Sequence, residues 1–214
     1  MVDFAGAIKK PFSDGKTALI GIVVGLIPVV SLLLSGYGVK VAQNTLNKNK
    51  SLPAWGLTNI GDHIIKSIMV LVIHIIYGIP GGILLAVALG AAIVTLLSSG
   101  DFISAFAAGG LIGILGILLL LVGAILASMG VIFYAKEGNF GAAFKFGAIL
   151  KKVLTGKYII SLVVVIAWAI VLGIVAVILA IIPIIGSLVG AGLLGYALTV
   201  TAYTIFSEVF NETK

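Results

Sequence analysis

The sequence predicts an all-α integral membrane protein, and two observations lead to that prediction. Hydrophobic residues make up 61% of the 214-residue chain, whereas charged residues make up only 9%. A water-soluble domain needs about a quarter of charged residues to cover its surface, so much of this surface must face lipid. Long apolar segments also alternate with short lysine-bearing segments, which is the pattern of successive membrane-spanning helices.

Four apolar segments are long enough to cross a bilayer, since a spanning helix needs about 20 residues. The first two exceed that length by about ten residues each, so we expect them to tilt, kink or emerge from the bilayer. Pro80 is the expected kink site in the first of them. The segments lie between Ser67 and Ser99, Phe102 and Ala135, Tyr158 and Ile182, and Ile184 and Ser207.

The remaining apolar segment, Thr17–Val39, contains Pro28 near its middle. Each arm beside the proline is too short to span a bilayer as a helix. We therefore expect an N-terminal short re-entrant helical hairpin that turns at Pro28. This topology places both termini and all 13 lysines on the cytoplasmic side, as positive-inside charge patterning favours. A single tilted crossing with the N-terminus outside is the alternative.

Two stretches have the pattern of interfacial amphipathic helices, which lie along the membrane surface. In Phe140–Leu154 the large apolar side chains fall on one helical arc, and Lys145 and Lys152 fall on the opposite side with Lys151 at the edge. We expect these three lysines to contact lipid headgroups. Leu57–Met69 is a weaker example of the same pattern.

An internal repeat relates the two ends of the chain. A Gly-Ala-Ile motif followed by lysines occurs at Gly6 and again at Gly147, and each copy then enters an apolar arm. Each arm reaches an Ile-Pro pair, at Pro28 and at Pro183, and returns through a Gly-Tyr pair, at Gly36-Tyr37 and at Gly195-Tyr196. The middle of the chain, with its Ile-Pro pair at Pro80, is a looser third copy.

We accordingly predict one membrane domain, residues 1–214, built from three degenerate helix-hairpin repeats. Residues 1–56 form the re-entrant hairpin and a cytoplasmic loop, residues 57–139 form a long kinked hairpin, and residues 140–214 form an amphipathic helix and a C-terminal hairpin.

The order of the segments IPVV, LLSGYGVKV, SLPAW and YAKEGNFGAAFKFGAILKKV resembles a family of multi-pass membrane proteins catalogued as domain of unknown function 4013. Its most specific positions here are Pro28, Gly36, Tyr37, Leu52, Pro53, Trp55 and the box Gly141–Phe144. The resemblance implies an archaeal cell membrane and an all-helical fold, but no activity. Acidic residues usually flank the tryptophan in that family, whereas here Asp62 is the nearest acid.

The sequence carries no recognisable catalytic, metal or cofactor motif, so we expect neither an enzyme nor a cofactor. Cysteine is absent, and His63 and His74 lie about 16 Å apart along a helix, too far for one metal ion. Every basic residue is a lysine, and nucleic-acid readers usually rely on arginine. We therefore predict membrane lipids as partners and no nucleic acid.

A small set of polar residues within the spans forms a candidate intramembrane polar site: His74, Tyr77, Thr199, Thr201 and Tyr203. His74 is interpreted either as a proton-relay or ligand residue, or as a neutral imidazole bonded to a carbonyl freed by Pro80 or to Tyr77. The threonines and tyrosine of the last span either line a wet path or form hydrogen bonds between helices. We favour the hydrogen-bonding interpretation in both cases.

The leading functional hypothesis is a non-catalytic structural, lipid-interacting or accessory membrane module that forms a homo-oligomer or joins a larger membrane complex. Glycines spaced four apart, which permit close helix contact, favour it. They occur as Gly21 with Gly25, Gly109 with Gly113, and Gly186 with Gly190. The alternative is a small transporter or channel for a neutral or small solute, and the third hypothesis is a membrane enzyme acting on lipid.

Overall fold

The computed structural model describes residues 1–56 and 59–213, and throughout these residues it contains helices and connecting segments without strands. Four of the helices, α5, α6, α8 and α9, are long and apolar enough to cross a membrane, which confirms the predicted fold class. The helices are α1 (Phe4–Lys9), α2 (Gly15–Leu26), α3 (Pro28–Ser31), α4 (Leu33–Leu46), α5 (Ile60–Ser99), α6 (Phe102–Glu137), α7 (Phe146–Val153), α8 (Gly156–Leu179) and α9 (Ile185–Glu212), with 3₁₀ turns at Lys10–Phe12 and Phe140–Phe144.

Polar side chains and prolines determine where several helices begin and end. The carboxylate of Asp14 accepts a hydrogen bond from the Lys16 N–H and caps α2, and Thr155 caps α8 in the same way through the Tyr158 N–H. Helix α2 ends at Leu26 because a proline disfavours helical backbone at the residue before it. Ile27 accordingly has an extended backbone, and Pro28 starts α3.

The chain divides into two compact units. The first consists of Met1–Val70 together with Met129–Lys214, and the second consists of Leu71–Ser128. In the second unit, α5 continues as a helix through Pro80 without interruption. The chain turns from α5 to α6 at Gly100, where a φ of +67° favours glycine.

Helix α9 is the centre of the first unit, and α2 and α4 pack along it in opposite directions. Four residue pairs define these two interfaces: Gly21 with Tyr196, Gly25 with Gly192, Leu34 with Gly195, and Gly38 with Thr199. Advancing along α2 moves backward along α9, whereas advancing along α4 moves forward. The chain therefore reverses direction between α2 and α4, as the hairpin prediction at Pro28 requires.

The lysine-bearing ends of the first unit lie together. Lys10, before α2, donates a hydrogen bond to Thr45 near the end of α4 at 2.9 Å. Glu212, at the end of α9, pairs with both the Met1 ammonium group and Lys157 at the start of α8. The short hairpin thus opens at the same end as the α8–α9 hairpin, and the N-terminus lies beside the end of α9.

Helices α8 and α9 form the second hairpin of this unit. They approach so closely that a Cβ added to Gly190 would lie 2.9 Å from the Ala176 Cα. The turn between them contains Pro183 and ends at Ile184, whose φ of +63° is unusual for a β-branched residue.

The second unit is a pair of helices packed through glycines. A Cβ added to Gly109 would lie against the Ala88 carbonyl group, and one added to Gly116 would lie 3.1 Å from the Leu85 backbone nitrogen. One added to Gly123 would collide with the Tyr77 carbonyl oxygen. These glycines recur every seven residues, a spacing that keeps them on one face of α6.

The predicted surface helices are shorter than expected. Residues 140–154 form the 3₁₀ turn Phe140–Phe144 followed by α7, with Ile149 buried and Leu154 exposed. Of Leu57–Met69, residues 57 and 58 lie outside the described part of the chain. Residues 60–69 form the first turns of α5 and not a separate helix.

Candidate functional site

Four aromatic side chains form a cluster where α4, α5 and α9 meet in the first unit: Tyr37, Trp55, His63 and Tyr196. Tyr37 stacks on Trp55 with ring centroids 4.3 Å apart and an interplanar angle of 5°. His63 lies 5.2 Å from the Trp55 ring, and Tyr196 lies 6.2 Å from the Tyr37 ring. We call this group the aromatic cluster.

Gly36 allows the aromatic cluster to form. A Cβ at this position would collide with the His63 carbonyl oxygen, so only glycine permits α4 to approach the start of α5 this closely. The Gly36 N–H donates a hydrogen bond to the Ser67 hydroxyl at 2.9 Å. The next residue, Tyr37, then lies fully buried between Trp55 and Tyr196.

The two tyrosines of the aromatic cluster occupy matching Gly-Tyr positions of the predicted repeat, and each donates a hydrogen bond to a proline carbonyl oxygen. The Tyr37 hydroxyl donates a hydrogen bond to the Pro53 carbonyl oxygen at 3.0 Å. The Tyr196 hydroxyl donates one to the Pro11 carbonyl oxygen at 3.1 Å. Each tyrosine therefore fastens a proline-containing connecting segment to the helices, while Leu52 packs against the same core.

An ion-pair network borders the aromatic cluster. The Asp62 carboxylate lies 2.8 Å from the Lys40 ammonium group and also pairs with Lys66, one helical turn further along α5. Asp62 is the nearest acid after Trp55, and it links α4 to α5. The side chain of Asp62 is 45% exposed, so the pair adds at most about 1 kcal/mol and chiefly sets the relative orientation of the helices.

Three residues of the predicted polar site lie on α9 and contact neighbouring helices. The Thr201 hydroxyl donates a hydrogen bond to the Ala7 carbonyl oxygen at 3.3 Å. Thr199 and Tyr203 both border Gly38, where an added Cβ would lie 2.8 Å from each side chain. These groups of α9 therefore serve contacts with α1 and α4.

The other members of the predicted polar site belong to the second unit. Tyr77 and His74 lie on α5, three and six residues before Pro80. His74 is exposed, whereas Tyr77 is buried.

Three members of the aromatic cluster, Tyr37, Trp55 and His63, lie within a region that matches a known protein family. The model of a family described as "Protein of unknown function (DUF4013)" matches residues 19–181. This chain is a member of the DUF4013 family. No curated protein and no solved structure matches it. In this DUF4013 member the positions that carry the resemblance, from Gly36 and Tyr37 to Pro53 and Trp55, meet in one place.

Two of the three lysines predicted to contact lipid, Lys145 and Lys152, make contacts within the chain. Lys145 pairs with Glu137 at 2.7 Å. Lys152 donates a hydrogen bond to the Phe210 carbonyl oxygen at 3.0 Å and lies 4.7 Å above the Phe210 ring. Partial burial there lowers the pKa of Lys152. Lys151 is exposed. Lys152 thus caps the C-terminal end of α9, where a cation is favourable.

Sequence reasoning missed the roles of His63 and Asp62. As one of two histidines, His63 suggests only a candidate metal ligand in the sequence, yet it is 1% exposed and packs against Trp55. The i to i+4 spacing of Asp62 and Lys66 indicates one of the two ion pairs of this network. Nothing in the sequence pointed to Lys40, because its contact with Asp62 depends on how α4 packs. Among the described residues, no three His, Asp or Glu side chains come together as metal ligands.

Proposed function

We propose that this DUF4013 protein is a non-catalytic membrane module that binds lipid and self-associates. The observation that carries the proposal is a difference between α9, which packs within the chain, and α8, which is largely exposed. The polar side chains of α9 serve contacts within the chain, as Tyr196 and Thr201 do. Helix α8 buries few of its own residues, namely Tyr158, Ser161 and Leu172, and its large apolar surface is available to lipid or to a second copy.

A glycine on α8 supports self-association. A Cβ added to Gly173 would meet nothing within 4 Å, so this glycine is not used for packing within the chain. Ala169 precedes it by one turn, and small residues four apart are the pattern that lets membrane helices approach closely. The glycines of α6 and α9 use that property inside the protomer, and we infer that Gly173 uses it between protomers.

The orientation of the module follows from its charges. The Met1 ammonium group, Lys10 and Lys157 all lie at the end where both hairpins of the first unit open. Positive charge beside membrane spans favours the cytoplasm. We therefore infer that this end faces the cytoplasm, with the α2–α4 hairpin entering and leaving on that side.

Native mass spectrometry of the full chain, released from mild detergent, tests the proposed function. We expect oligomers, at multiples of the 21.9 kDa chain mass, that retain lipid. Gly173→Leu should shift the distribution toward monomer because it blocks close approach. Ala167→Leu, which adds the same side chain to a different face of α8, should leave it unchanged.

Two results would contradict the proposal. A strictly monomeric, lipid-free wild-type particle would contradict both self-association and lipid binding. Solute flux through liposomes that carry the purified protein would favour the transporter hypothesis instead.

A further inference from the structure

A cavity of about 760 Å³ lies in the first unit, and no residue of the aromatic cluster lines it. Its walls come from four segments that are distant in sequence: α1 with the following 3₁₀ turn, the end of α4, the middle of α8, and the end of α9. The volume lies within the range of protein sites for small ligands, about 300–1,000 Å³.

One part of this cavity is cationic. Lys9, Lys10, Lys48 and Lys50 line it, and within the described residues none of them forms an ion pair with a carboxylate. Three carboxylates line the same cavity. Glu212 pairs with Lys157 and with the Met1 ammonium group, whereas Asp3 and Glu208 accept only backbone N–H hydrogen bonds and keep their negative charge. The four lysines therefore outnumber the two carboxylates that have no ion pair, and the cavity lining carries a net positive charge.

Lys10 is held in place at the inner edge of the cationic part. Its ammonium group donates to the Thr45 hydroxyl at 2.9 Å. Burial lowers the pKa of Lys10, and the neighbouring Glu208 opposes that effect. An anion in the cavity would stabilise the charged form of this partly buried lysine.

Lys48 reaches the cavity from an unfavourable backbone conformation. Its φ is +60°, a region that costs most non-glycine residues about 1 kcal/mol but is tolerated by asparagine. Asparagine occupies both neighbouring positions, 47 and 49. The strained position nevertheless carries a lysine, which adds a cation to the cavity lining.

The other part of the cavity is apolar. Ala7, Ile8, Phe12 and Trp168 line it. The Trp168 indole N–H is buried and has no acceptor among the described residues. A ligand that satisfies both parts needs an anionic group and a hydrocarbon portion.

We propose that this cavity binds an anionic phospholipid, with the phosphate between Lys9, Lys48 and Lys50 and the beginning of the hydrocarbon chains against Phe12 and Trp168. The assignment rests on the proposed function and names the lipid class that it involves. A free phosphate ion would meet the lysines but would leave the Phe12 and Trp168 wall unfilled. A zwitterionic lipid would place a second cation among the lysines.

The test uses the full chain in nanodiscs that contain equal amounts of phosphatidylglycerol and phosphatidylcholine. Native mass spectrometry then counts the lipids retained after the disc is removed. The wild type should retain phosphatidylglycerol preferentially. Lys48→Asn combined with Lys50→Gln should reduce that preference about fivefold for each lysine removed. Because asparagine tolerates the backbone at position 48, thermal stability should not fall.

The matched control is Lys16→Gln combined with Lys136→Gln, which removes the same charge from exposed lysines outside the cavity. It should keep the preference for phosphatidylglycerol. An equal loss in both double variants, or no loss in either, would overturn the site. Displacement of the retained lipid by millimolar glycerol 3-phosphate would overturn the lipid assignment in favour of a soluble phosphate compound.

The same spectra separate this inference from the proposed function. Oligomers that retain lipid equally in all variants would leave the proposed function standing and remove only the cavity site. Monomers free of lipid would remove both.

Discussion

At the scale of single residues, the least replaceable positions are those where backbones come close together. Gly36 allows α4 to approach the backbone of α5, and Tyr37 then fills the space between Trp55 and Tyr196. The sequence pattern identified Gly36 and Tyr37 as a motif. It did not reveal the reason, because the partners of a motif residue are known only once distant segments are placed together.

Gly36→Ala should destabilise the protein because the new methyl group would collide with the His63 carbonyl oxygen. The helices must separate or strain, which typically costs about 1–3 kcal/mol. Thermal unfolding in detergent, followed by circular dichroism, measures this loss. Gly147→Ala on α7 is the control, since an added Cβ there meets nothing within 4 Å. Equal midpoints for the two variants would contradict the close approach.

Lys152→Gln should lower stability by about 1 kcal/mol, because the ammonium group caps the last carbonyl groups of α9 and lies over the Phe210 ring. Lys151→Gln, at the neighbouring exposed position, should have no measurable effect. Chemical denaturation in detergent gives both values. If both substitutions left stability unchanged but weakened binding to anionic vesicles, the result would support lipid contact by Lys152 and contradict its capping of α9.

At the scale of elements, the first unit is built from two helical hairpins, α2–α4 and α8–α9. Helices α2 and α4 pack on α9 in opposite directions, and α8 packs on α9 through Gly190. The lengths of the apolar segments distinguish the short hairpin from the four long helices. Helices α2 and α4, with 12 and 14 residues, are too short to cross a bilayer. The choice of α9 as the shared partner was not predictable, because apolar periodicity does not specify which faces meet.

Gly123→Ala tests the contact between α5 and α6. The added methyl group would collide with the Tyr77 carbonyl oxygen, so the variant should be destabilised by about 1–3 kcal/mol. Gly90→Ala on α5 is the matched control, because an added Cβ there meets nothing within 4 Å. Replacing a helical glycine with alanine at such an open site should stabilise the helix slightly. Thermal midpoints that fail to separate the two variants would rule out this helix interface.

At the scale of the whole molecule, the sequence predicted the class and most helices, and it failed where several segments combine. Composition predicted a membrane protein, and the proline and lysine pattern predicted the hairpin at Pro28. The cavity was not predictable, because Lys10, Lys48 and Trp168 come from segments that are distant in sequence and share no motif. The ion pair of Lys145 with Glu137 was not predictable for a related reason, since an amphipathic pattern identifies a polar face but not the side chains that it meets.

The central claim is that the α2–α4 hairpin enters and leaves the membrane on one side, and single-cysteine labelling tests it most directly. The chain contains no cysteine, so each introduced thiol reports on one position. In sealed vesicles of known orientation, an impermeant maleimide added outside should label Ser99→Cys and should leave both Gly15→Cys and Ser31→Cys unlabelled. Strong external labelling of Gly15→Cys would contradict the hairpin and support a single crossing by this segment.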